Sequence, residues 1–71
     1  MELNRYLTIV IPCKNEKDII LKTLDLLNYQ QDINDVKVII CDASDDEITR
    51  PELENRVGLQ NDIFDLQVIN G

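Results

Sequence analysis

The chain is predicted to be α/β: three parallel strands in the order 3-2-1, joined as βαβ(α)β, which is half of a doubly wound sheet. Three observations predict it. Two apolar runs, at residues 7–11 and 36–41, stop abruptly at polar residues. Between them lies a stretch with apolar residues at helical spacing, the layout of a right-handed crossover. A third apolar run, Leu66 to Ile69, follows a segment with helix signals.

Leu7 to Ile11 is continuous, apolar and rich in β-branched residues, the pattern of a strand buried on both faces. Pro12 is expected to end it, because proline cannot donate to a ladder. Asn15 suits an N-cap, with Asp18 three residues on in the capping-box position and Glu16 and Asp18 near the positive end of the dipole. The helix is expected from about Glu16 to Asn28 or Gln30. Its apolar stripe is Ile20, Leu24 and Leu27, widened by Ile19 and Leu26. Tyr29 to Asn34 reads as the turn back to the sheet.

In the second strand, Val36 to Cys41, alternation sends Val36, Val38 and Ile40 one way and Ile39 and Cys41 the other. Asp42 to Thr49 is a loop. A short helix is expected over Pro51 to Arg56, closed by Gly58; the alternative begins it at Asp45 or Asp46 with Pro51 bending it.

At 71 residues the chain is below the common domain size. It is expected to be a single segment of a longer protein, roughly half of a doubly wound domain. Its net charge of −7 disfavours nucleic acid and anionic bilayers as partners. No stretch is long enough to span a membrane, and the start does not read as a signal peptide. Cys13 and Cys41 lie in or beside apolar runs, which points to reduced, buried thiols and a cytoplasmic setting. A Cys13–Cys41 disulfide is the less favoured alternative. With no histidine and two cysteines, a zinc site is not expected.

Ligands of open α/β sheets bind outside the carboxyl ends of the strands. There the sequence offers Pro12-Cys13-Lys14-Asn15-Glu16 and Asp42-Ala43-Ser44-Asp45-Asp46. No glycine-rich turn follows the first strand, so neither a dinucleotide fingerprint nor a P-loop is present. Asp42 can accept hydrogen bonds from a base or ribose, or it can cap its own turn. Asp45-Asp46 reads as a solvated loop or helix N-terminus. Cys13 reads as a small buried residue, and Lys14, Arg50 and Arg56 as surface cations.

Residues 9–16 and 38–46, in this order and separation, resemble the start of the inverting nucleotide-sugar glycosyltransferases of family 2, which have the GT-A fold. Members typically carry Pro, a variable residue, an aromatic, Asn and an acid after the first strand, and an Asp-Asp-Gly-Ser-type loop after the second. The resemblance implies that Pro12, Cys13, Asn15 and Glu16 line the pocket for the base of a nucleoside diphosphate sugar, in most cases a UDP-sugar. It places Asp42 on the base-binding acid and Ser44 on the loop serine. Lys14 replaces the usual aromatic, Cys41 the first acid and Ala43 the glycine. The Mg²⁺ or Mn²⁺ motif and the catalytic base of the family belong to later regions, so this segment alone is expected to be inactive and to bind no metal. On the cytoplasmic side, the longer protein could be soluble or membrane-attached. A second reading is a small interaction domain that forms homo-oligomers through an open sheet edge. A third, a nucleotidyltransferase, lacks its glycine-rich basic signature here.

Overall fold

The computed structural model describes residues 7–30 and 36–71. The elements are β1 (Thr8–Cys13), α1 (Lys17–Leu27), β2 (Lys37–Asp42), α2 (Thr49–Leu59) and β3 (Asp65–Asn70). The three strands form one parallel sheet in the order β1-β2-β3, which is the expected 3-2-1 read from the other edge. The expected return turn falls largely on residues 31–35, outside the described residues.

Pro12 does not end β1; it lies within it, opposite Cys41. The ladder explains why this is tolerated. The Leu7 and Cys13 carbonyls accept from Lys37 and Ala43 of the neighbouring chain segment. Odd-numbered residues of β1 therefore turn their backbone groups toward β2, and even-numbered residues turn theirs outward. Pro12 sits where its missing N–H would have faced the open edge.

Register sorts the side chains into two faces. Ile9, Ile11 and Cys13 share one with Val38, Ile40 and Asp42 and with Leu66, Val68 and Asn70. Both helices cover this face, because two successive right-handed crossovers in the same direction place their helices on the same side. The core here comprises Cys13, Ile20, Leu24, Val36, Val38, Ile40, Leu53, Phe64 and Leu66.

The other face carries Val10 (56% exposed), Ile39, Cys41 and Ile69 (46% exposed). The expectation that β1 is buried on both faces is therefore corrected. A β-branched run looks the same in sequence whether one layer or two cover it, and among the described residues only one layer does.

The stripe of α1 is also displaced. Ile20 and Leu24 are buried, but Ile19 and Leu26 are exposed, and Leu21 packs against the core instead. On the Leu21 side the helix meets α2 and the loop after it: Arg56 of α2 donates to the Leu21 carbonyl, and Asn28, just past α1, donates to Asp62.

The second helix is longer than either expected version. Asp46 accepts from the Ile48 and Thr49 amides and the Thr49 hydroxyl, so its carboxylate serves the orphan donors of the first turn. Pro51 falls in that turn, where an N–H has no intrahelical partner, and does not bend the helix away. Gly58 lies inside α2; the left-handed closing residue is Gln60, φ 53°. No helix among the described residues is long and apolar enough to cross a membrane.

Candidate functional site

The carboxyl ends of β1 and β2 lie side by side. Cys13 pairs with Asp42, and the Ala43 amide donates to the Cys13 carbonyl at 2.9 Å. The turn after β1 and the loop after β2 then fasten to each other. The Asn15 amide donates to Ser44 Oγ at 2.7 Å. The Asn15 side chain accepts from the amides of Asp45 and Asp46 and donates to Asp45 Oδ1.

Asn15 therefore clamps two loops and does not cap α1. Its φ of 54° is the left-handed conformation, which asparagine tolerates better than most residues. Glu16 takes the capping position without a side-chain bond, so the expected box with Asp18 is absent.

A hollow of about 400 Å³ opens at this edge, lined by Pro12, Cys13, Lys14, Glu16, Cys41, Ala43 and Gly71. Gly71 belongs there for a steric reason. A Cβ on it would lie 3.0 Å from the backbone carbonyl carbon and oxygen of Cys41, so a side chain at this point would require the end of β2 to give by a few tenths of an ångström.

Of the expected ligand contacts, Pro12, Cys13 and Glu16 border the hollow; Asn15, Asp42 and Ser44 build its rim from behind. Asp42 shares the helix-covered face with Val38 and Ile40, and its side chain is 1% exposed. One carboxylate oxygen accepts from the Ser44 hydroxyl at 2.6 Å and from the Ser44 amide. The other accepts from Arg50 Nε at 2.7 Å. The Arg50 guanidinium also reaches the Asp42 carbonyl and Asn70 Oδ1, joining α2 to the ends of β2 and β3. Burial pushes the Asp42 carboxyl up, but the hydrogen bonds from Ser44 and Arg50 outweigh it and hold it below the usual carboxylate range.

Arg50 was expected to be a surface cation; it is the counter-ion of the buried acid. Arg56 is likewise more than a surface residue. It pairs with Asp62 and Asp25 at the far end of the helical layer, where Arg56 and Asp62 line another depression of about 350 Å³.

The two cysteines are free and stand on opposite faces of the sheet, which excludes a bond between them in this fold. Cys41 is only half-buried. The Cys13 thiol is raised above its ordinary pKa, chiefly by burial; the Glu16 amide and Ser44 oppose the shift and the Asp42 charge adds to it. Among the described residues no three metal-ligating side chains stand together. Asp45 and Asp46 are engaged by Asn15 and by the start of α2.

The fold and this edge define a two-layer, parallel α/β unit with a rimmed hollow at the carboxyl ends of its strands. Comparisons of the chain with protein-family models, with curated proteins and with solved structures found no match.

Proposed function

We propose that the chain is the nucleotide-binding segment of an inverting nucleotide-sugar glycosyltransferase, whose hollow takes the base and ribose of a nucleoside diphosphate sugar. One observation carries the reading. The parallel register brings the Pro12–Glu16 turn and the Cys41–Ser44 segment to one rim. This is where open α/β sheets bind nucleotides.

The work of this segment is to hold and orient. Asn15, Ser44 and Asp42 fix the rim through bonds to each other, so the groups facing the hollow are pre-positioned. Sugar transfer to an acceptor hydroxyl, the carboxylate that removes its proton, and the Mg²⁺ or Mn²⁺ on the leaving diphosphate belong to other parts of the longer protein. Titrating the chain with UDP, followed by backbone amide resonances, is expected to shift residues 13–16, 41–44 and 71. Shifts confined to residues remote from this rim, or none at millimolar UDP, would refute the reading.

A second reading, self-association, is favoured by the uncovered face with Val10, Ile39, Cys41 and Ile69. Its charged members are Lys37 and Asp65, one of each sign, so it is neutral on a chain of net charge −7. Three six-residue strands offer only roughly 300 Å² of projected surface, against about 800 Å² per partner in stable complexes. The expected result in sedimentation is a monomer at micromolar concentration with weak association near a millimolar. A strict monomer at a millimolar would count against any role for this face in pairing copies.

A further inference from the structure

We infer that the hollow accepts the base of a nucleoside diphosphate against an uncharged wall of Cys41, Ala43 and Gly71, and so discriminates weakly among bases. This rests on the nucleotide-binding reading above and specifies its substrate class. The resemblance in sequence assigns recognition of the base to Asp42, and two independent features of the structure argue otherwise.

The first is face. Alternation along β2 sends Asp42 to the helix-covered side with Val38 and Ile40, where its side chain is 1% exposed, and sends Cys41 to the opposite side; Cys13 and Cys41 both border the hollow and Asp42 does not. The second is occupancy. Both Asp42 oxygens are already bonded, to Ser44 and to Arg50. Turning the carboxylate toward a ligand would break both bonds and strip Arg50 of its buried partner. The charged groups that do line the hollow, Lys14 and Glu16, sit on the exposed turn, where water competes for them.

A pocket that hydrogen-bonds a specific donor can reject analogues by large factors, whereas one that reads contact and shape cannot. With a thiol, a methyl group and a bare backbone as its wall, the hollow belongs to the second kind.

Alkylation of Cys41 tests this directly. The labelling rate without nucleotide is the reference, because Cys13 also borders the hollow and is 4% exposed. The chain is treated with N-ethylmaleimide and the modified cysteine is identified by mass spectrometry. Parallel reactions contain UDP, GDP, ADP or inorganic pyrophosphate, each titrated over the same concentration range, and the half-protecting concentrations are compared. All three nucleotides are expected to slow labelling of Cys41, within about threefold of one another, and pyrophosphate to leave it unchanged.

In a second arm, followed by the rim resonances because the labelled thiol is gone, Cys41→Asp is expected to introduce a preference for UDP over ADP by adding an acceptor to the wall. Protection by UDP more than about tenfold better than by GDP or ADP would overturn the inference. So would protection by pyrophosphate alone, or free labelling of Cys41 in the presence of a nucleotide that shifts residues 13–16. Those results leave nucleotide binding at this edge standing. If no nucleotide moves the rim resonances at all, the binding reading fails and the inference falls with it.

Discussion

Replacing Asp42 with asparagine is expected to lower the stability of the chain by about 2–3 kcal/mol. The amide has the same shape, and one oxygen can still accept from Ser44. The other oxygen becomes an N–H₂ facing Arg50 Nε, donor against donor, in a place where the carboxylate is 1% exposed. A chain of this length has a net stability of roughly 4–10 kcal/mol, so the urea midpoint should fall by about a fifth or more. Arg50→Lys should lie between wild type and the asparagine variant, since an ammonium keeps the charge but not the fork that spans Asp42 and Asn70.

The same pair has a signature in pH. The folded-state pKa of Asp42 is depressed, so the folded state binds its proton less readily than the unfolded chain does. Its contribution is fully present above the unfolded value and is lost as pH falls through the folded one. Asp46 and Asp62 are depressed too: Asp46 chiefly by hydrogen bonds from Thr49, Asp62 by the bonds from Arg56 and Asn28, which outweigh its burial. Wild type should hold its midpoint from pH 7 to about pH 5 and lose it below about pH 4, and the Asp42→Asn variant should show a shallower acid limb. Acid limbs of identical slope would show that Asp42 is not the ionised, paired group described here.

How much of this could be read in the residues alone depends on the kind of information each feature uses. The strands and the first helix were legible because their signals are local: a β-branched run, a stripe at 3.6-residue spacing, a break at polar residues. The parallel meeting of the two strand ends followed from the length of the crossover. The face of Asp42 was legible too. Once Val36, Val38 and Ile40 are assigned to one side, the next even-numbered residue goes with them and Cys41 goes to the other side, but the pull of a familiar motif hid that parity.

Arg50 was not legible as the partner of Asp42. The two are eight residues apart across a loop, and they meet only because α2 begins where Asp46 holds its first turn. Nor could the sequence say that one sheet face is bare, since burial on that side depends on atoms supplied by some other segment or molecule. Asn15 shows the same limit on a small scale. A residue that caps helices also tolerates left-handed backbone, and only the position of Ser44 and Asp45 opposite it decides between the two uses.

Leu53→Ala is expected to be the most damaging single truncation, at about 3–5 kcal/mol, because α2 has so little else holding it. Its buried residues are Thr49 and Leu53, with Val57 partly buried, and Leu53 is 0% exposed. An amphipathic helix could lose one anchor and stay docked on the rest; this one rests its inward face on a single large side chain.

The consequence reaches the candidate site, since α2 also delivers Arg50 to Asp42. A helix that loosens at Leu53 loosens the guanidinium, so the two changes should share part of their effect. In a double-mutant cycle of Leu53→Ala and Asp42→Asn, run in sucrose to keep the doubly substituted chain folded, the combined loss should fall short of the sum by about 1 kcal/mol or more. Additivity within about 0.5 kcal/mol would mean that the helix keeps Arg50 in place without its apolar anchor. The rim of the hollow would then be stabilised by its hydrogen bonds alone, through Asn15, Ser44 and Asp46, independently of how firmly the helical layer is packed.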